Sequence, residues 1–144
     1  MRHLRMTAGK ILEELGWKKA ALSLWLVGDR QIRRLNQQHL KHDRSADVIA
    51  FSQLEGKKLK APAAGAVFLG DIVISLDTTA RQAPEYGNPF FYELAFYLCH
   101  GILHLMGHSD QTKKQALRME RRQKAVLEKI GFGKIKLNSA RKSQ

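Results

Sequence analysis

The 144-residue chain has one cysteine, few acids and no apolar run long enough for a bilayer. A lone thiol, Cys99, excludes an internal disulfide framework and favours a reducing compartment. Beside His100 it could react or ligate, but a small buried hydrophobe is the commoner role of such a residue. The longest apolar stretch, Phe90 to Met106, is broken by Glu93 and two histidines and is short for a transmembrane helix. The start, Met1-Arg-His-Leu-Arg-Met6, is charged, and no apolar leader segment follows it. These absences point to a soluble cytoplasmic protein with no membrane partner. No internal repeat and no second domain is visible. One domain is expected over residues 1–137, with a basic tail at 138–144 that frays. A hydrophobic content of 44% excludes a disordered chain and is enough for a core.

Acidic side chains number 13 against 25 Lys and Arg, a net charge of +12. The imbalance is uneven. Residues 61–110 hold one basic and five acidic side chains, whereas residues 111–144 hold eleven and two. A locally acidic stretch suits a metal cation, and a basic surround suits a polyanion laid across it.

Hydrophobic period and turn residues place the elements. A short helix is expected over 7–16, capped by Thr7 and stopped by Gly16. Ala21–Val27 reads as a strand, and Asp29 caps a helix to about Gln38 with Ile32 and Leu35 inward. Asp47–Phe51 and Ala66–Ser75 read as strands, the latter with a bulge or close approach at Gly70. Asp77-Thr78-Thr79 begins a helix that ends by Pro84. A long apolar helix starts near Phe90, with Pro89 in its first turn. The last helix runs from about Thr112 to Ile130, with Ala116, Met119, Val126, Leu127 and Ile130 on its core face. The fold class is therefore α+β, a small mixed β-sheet packed with about five helices.

The chemistry gathers at His100-Gly-Ile-Leu-His104-Leu-Met-Gly107-His108-Ser-Asp110. Two histidines four apart on a helix project from one face, one turn apart, and can hold one ion. Gly107 ends the helix, so the chain can turn back and offer a third ligand. Two imidazoles, a break and a further ligand form the layout of a zinc site with an open fourth position. Unpaired imidazoles on an apolar helix would be costly to bury, which strengthens the metal reading. Position 101 is glycine, where His-Glu-x-x-His peptidases carry their general base, and this argues against proteolysis.

Four stretches together resemble the YbeY family of bacterial endoribonucleases of ribosomal RNA maturation. They are Leu35-Asn36 with Asp47–Phe51; Leu69-Gly-Asp-Ile-Val-Ile-Ser75; Glu93-Leu-Ala95 with the histidine motif; and Met119-Glu120. Order and gaps match over about residues 20–130. The resemblance implies a zincin-like metal-site helix and one Zn(2+) per chain, held by His100, His104 and a third residue. The family motif ends in a histidine where this chain has Asp110, and His108 stands at the family's tyrosine. Asp110 is taken as the third ligand, carboxylate oxygen being competent for zinc, with His108 as the alternative. Leu40 replaces an arginine thought to act in catalysis, Ser45-Ala46 replaces the usual Pro-Thr, and the family's first strand has no counterpart.

The resemblance implies single-strand-specific endoribonuclease activity in 16S rRNA 3′-end maturation and ribosome biogenesis. Ribosomal RNA and the small subunit are the implied partners. Lys41, Arg44, Lys57 and Lys58, with Lys60, are candidates for phosphate contacts, as are Lys113, Lys114, Arg118, Arg121 and Arg122. Solvated helix faces are the commoner role of such residues. No general acid or base is assigned. Asp47 and Asp71 could orient ligands from behind or cap turns, and Glu93 could reach a ligand histidine or bridge at the core edge. The competing functions are an RNA- or ribosome-binding assembly factor with a structural metal, and another metal hydrolase such as a metallopeptidase.

Overall fold

The structure is a computed structural model that describes residues 1–40, 47–53 and 67–133. In order they form α1 (Arg2–Glu14), β1 (Ala20–Val27), α2 (Asp29–Leu40), β2 (Val48–Ser52), β3 (Val67–Ser75), α3 (Leu76–Glu85), α4 (Phe90–Leu105) and α5 (Lys113–Leu127). A π-helical turn, Glu128–Phe132, follows α5. The sheet is mixed, in the order β1-β3-β2, with β1 parallel and β2 antiparallel to β3. Five helices on a small mixed sheet make the fold α+β, as the hydrophobic period predicts.

Apart from Asp71 the strands are uncharged and rich in Val, Ile and Leu, and β3 sits centrally because it is largely apolar on both faces. Leu69, Ile72 and Ile74 point to one side, into the main core with α4, while Val73 points to the other with Val27, Ile49 and Ile32 of α2. Eleven of the sixteen residues of α4 are buried, so the helix is apolar all round and sits inside the molecule. Side chains such as Leu98, Ile102 and Leu103 are wholly buried, each worth roughly 1.5–3 kcal/mol of transfer free energy. The site is thus anchored on the least deformable element of the fold. Gly70 is a close approach, as expected. Its φ is +141°, a Cβ there would lie 2.1 Å from the Phe51 carbonyl oxygen, and the β1–β3 register slips beside it.

Four expectations at helix starts are corrected. The first helix begins at Arg2, and Thr7 is buried inside it with its hydroxyl donating to the His3 carbonyl, so it caps nothing. Asp29 does not cap α2 with its side chain. Its carboxylate reaches across to the start of α3, where it accepts from Ser75 Oγ at 2.6 Å and Thr78 Oγ1 at 2.7 Å. The cap of α3 is Ser75, whose Oγ accepts from the Thr78 amide, so the helix starts before Asp77. Pro89 is the cap residue of α4 rather than part of its first turn. Thr112 does cap α5, in a capping box with Gln115.

Candidate metal centre

His100 and His104 lie on the last two turns of α4, where the helix axis and the four-residue spacing turn both rings to one side. The helix then ends. Gly107 has φ +93°, and the amide of His108 donates to the Leu103 carbonyl, closing the C-terminal turn. That turn carries the chain back so that Asp110 Oδ2 stands 3.3 Å from His100 Nε2 and 3.5 Å from His104 Nε2. One ligand atom from each of the three residues falls within 4.8 Å of the others.

Hydrogen bonds behind the rings determine which nitrogens face the cluster. Gln123 is wholly buried on α5; its Nε2 donates to the Phe96 carbonyl, which leaves its Oε1 to accept from His100 Nδ1 at 3.1 Å. His104 Nδ1 donates to the main-chain carbonyl of His108 at 3.0 Å. Both Nδ1 protons are therefore engaged, and both Nε2 lone pairs point into the cluster, 2.9 Å apart. Two lone pairs and a carboxylate at these distances repel one another unless a proton or a cation lies between them. The donor set fits a divalent ion of intermediate softness.

A proton on Nε2 can take the cation's place: hydrogen bonds from His100 and then His104 hold the Asp110 carboxyl well below the ordinary carboxylate range. Burial alone would lower the His100 pKa, but Asp110, Gln123 and the charge of Asp47 outweigh it and leave it raised. His108 is lowered first by partial burial and then by Arg122 and His104, and it lies outside the cluster. Its contribution is the carbonyl behind His104. The cluster's third side chain is Asp110.

Other sequence candidates fall elsewhere. Asp71 lies on the far side of the sheet, in a cleft with Trp25, Leu35 and Phe51, so it cannot orient a ligand histidine. The Asp47 carboxylate accepts from the Val48 amide at the start of β2, and its charge is felt at His100. Glu93 is buried and accepts from Asn88 Nδ2 at the start of α4. The Cys99 thiol is pushed up to about 12 by burial and is a packed hydrophobe. Lys113, Lys114, Arg118, Arg121 and Arg122 are exposed on α5. Lys41, Arg44, Lys57, Lys58 and Lys60 lie outside the described residues, as does the side chain of Leu40.

Gly101 has a steric reason. A Cβ there would lie 2.9 Å from Ile72 Cγ2, so α4 rests directly on β3 at this point. A side chain following the first histidine would force Ile72 to shift, so glycine is what lets the two elements meet here. Gln123 was not foreseen. Its signal was present: position 123 falls on the face of Met119, Val126 and Leu127, and a polar residue on a buried face demands a partner.

The endoribonuclease YbeY family model matches residues 2–131. An endoribonuclease YbeY of Geobacter metallireducens is 41% identical over 134 residues, which cover 90% of this chain and 87% of the relative. One of Desulforamulus reducens is 37% identical over 124 residues, covering 85% and 81%. The solution structure of a Thermotoga maritima protein superposes with a TM-score of 0.58 at 23% identity, over 98% of this chain and 90% of that one, a likeness of fold alone. A match along nearly the whole chain, on a fold that brings the motif's residues together, places this chain in the endoribonuclease YbeY family.

Proposed function

We propose that the chain is a metal-dependent, single-strand-specific endoribonuclease of 16S rRNA 3′-end maturation, with one Zn(2+) held by His100, His104 and Asp110. Membership of an endoribonuclease family makes RNA hydrolysis the activity of the chain. The observation that carries the metal reading is the pair of Nε2 lone pairs, each aimed by an acceptor behind its ring, converging with a carboxylate. A zinc ion bound there supplies Lewis acidity toward a phosphoryl oxygen and brings the pKa of a bound water toward neutrality.

The remaining work belongs to the chain. Gln123 and the His108 carbonyl each engage one Nδ1, which turns both Nε2 atoms toward the cluster and fixes the rings in orientation. Asp110 stays ionised and lends the cluster its negative charge. The exposed cations of α5, which begins three residues after Asp110, offer contacts for the phosphates of an RNA strand. The small ribosomal subunit, in the cytoplasm, is the setting this reading implies, and no helix among the described residues is long and apolar enough to cross a membrane.

The alternative of an assembly factor with a structural metal is separated by His104→Ala. The reading expects a folded variant that binds RNA, loses metal and cleaves at least 100-fold more slowly, judged on the scale of lost metal or catalytic groups. Cleavage at the wild-type rate would remove the metal from the mechanism. Global unfolding would make the ion structural. Metal content of Asp110→Ala, measured on protein without a histidine tag, tests the third ligand, since stoichiometric retention moves it to another residue.

A further inference from the structure

β1 is an outer strand with one free side. Among the described residues only β3 pairs with it, along Ala20–Val27, and no strand covers its other edge. An open edge eight residues long presents a row of main-chain donors and acceptors, and soluble proteins guard such edges with charges, prolines or bulges. Here the sequence Ala-Ala-Leu-Ser-Leu-Trp-Leu-Val has none of the charges or prolines. Its inward-facing leucines, Leu22, Leu24 and Leu26, are only partly buried although they pack against the main core. On the opposite face Trp25 is 57% exposed, and Ala21 is also exposed. A groove of about 470 Å3 runs along this edge between β1 and α1, where Gly9 faces open space.

We propose that this edge is a self-association surface, and that two copies of the chain join β1 to β1 antiparallel about a twofold axis at Ser23. The occupant follows from charge and register. The self-repulsion of a chain of net charge +12 is least along an uncharged strand, and β1 is uncharged throughout, with Arg5 of α1 the one charged side chain lining the adjoining groove. An axis normal to a continuous sheet keeps each face on its own side, so odd-numbered residues meet odd-numbered ones. Centring on Ser23 sets the exposed indole of Trp25 against the exposed, small Ala21 of the other copy. The same register carries Lys18 and Lys19 beside Val27 and Gly28 of the second copy, within one residue of its Asp29 and close to its Asp77, which accepts from the Asp29 amide. A parallel pairing would instead bring the lysines of both copies together. The product is a six-stranded sheet, and the helix that carries each cluster packs on β3 and β2 rather than chiefly on the strand at the seam.

The test is mass and a cross-link on the full chain. Light scattering in the high micromolar range is expected to return twice the chain mass of 16.4 kDa, and Trp25→Glu to return the single mass. Ser23→Cys is expected to oxidise to a disulfide-linked dimer on denaturing gels without reductant, because its thiols meet across the axis and the native Cys99 is buried. Met6→Cys, on the exposed outer side of α1, stays uncross-linked. A single mass for the wild type at every concentration overturns the proposal, as does a dimer that Ser23→Cys does not link. A wild-type monomer that dimerises only after removal of residues 134–144 assigns the edge to the chain's own tail, and likewise overturns it.

Discussion

Gln123 shows how one buried amide controls the site. It satisfies the Phe96 carbonyl with one end and receives the His100 Nδ1 proton with the other, and that second bond makes Nε2 the free nitrogen. Replacing it by leucine keeps the volume and removes the acceptor. Gln123→Leu is expected to fold and to weaken metal binding by about 10–100-fold, the usual cost of losing the partner behind a ligating histidine. Chelator competition measures this directly; an unchanged affinity would show that the ring is held by packing alone. At this scale the sequence indicates the side chains that gather in the cluster and is silent about what stands behind them. His100 and His104 could be read from spacing because a helix forces residues four apart onto one face. Asp110 came from the resemblance, since nothing local reveals where a chain goes after a glycine break. Gln123 is marked in the sequence as a polar residue on the buried face of α5, but its partner depends on the docking angle of α5 on α4, which no local pattern contains.

At the scale of elements, the joint between α2 and α3 is electrostatic. The Asp29 carboxylate receives Ser75 Oγ, Thr78 Oγ1 and Arg81 Nη1, the last at 2.6 Å, and so ties the first turn of one helix to the first two turns of another. Burial raises the Asp29 pKa, but Arg81, Ser75 and Thr78 outweigh it and bring it from the ordinary 3.8 to about 2. A carboxyl depressed in the folded state stabilises fully above its unfolded pKa and loses that contribution as pH falls through its folded pKa. The stability gap between wild type and Asp29→Asn is therefore expected to be complete above pH 3.8 and to shrink toward pH 2. Urea midpoints of both proteins across that range check it, and a gap independent of pH would place the interaction in the neutral hydrogen bonds alone. The sequence marked Asp29 as a cap because Gly-Asp before an apolar period has that form. It went to a distant partner because Ser75 and Thr78, 46 and 49 residues away, arrive at the same strand end when β1 pairs with β3.

For the molecule as a whole, charge is the property that reaches furthest, and α5 gives it direction. Its buried face, Met119, Gln123, Val126 and Leu127, turns Lys114, Arg118 and Arg121 outward along one ridge at i, i+4 and i+7. The metal cluster lies where α4 meets this helix, so a strand crossing the cluster can run beside that ridge. Each phosphate neutralised on single-stranded RNA contributes about −0.7 to the slope of log affinity against log salt. If Arg118 and Arg121 each hold a phosphate, the double variant Arg118→Gln, Arg121→Gln reduces the magnitude of that slope by about 1.4. Both positions are exposed, so the variant is expected to melt where the wild type does, and the change is one of affinity alone. Binding to an unstructured RNA by fluorescence anisotropy, over a series of salt concentrations, gives both slopes. Equal slopes would make the ridge a solvated face and return the phosphate contacts to other basic segments of the chain.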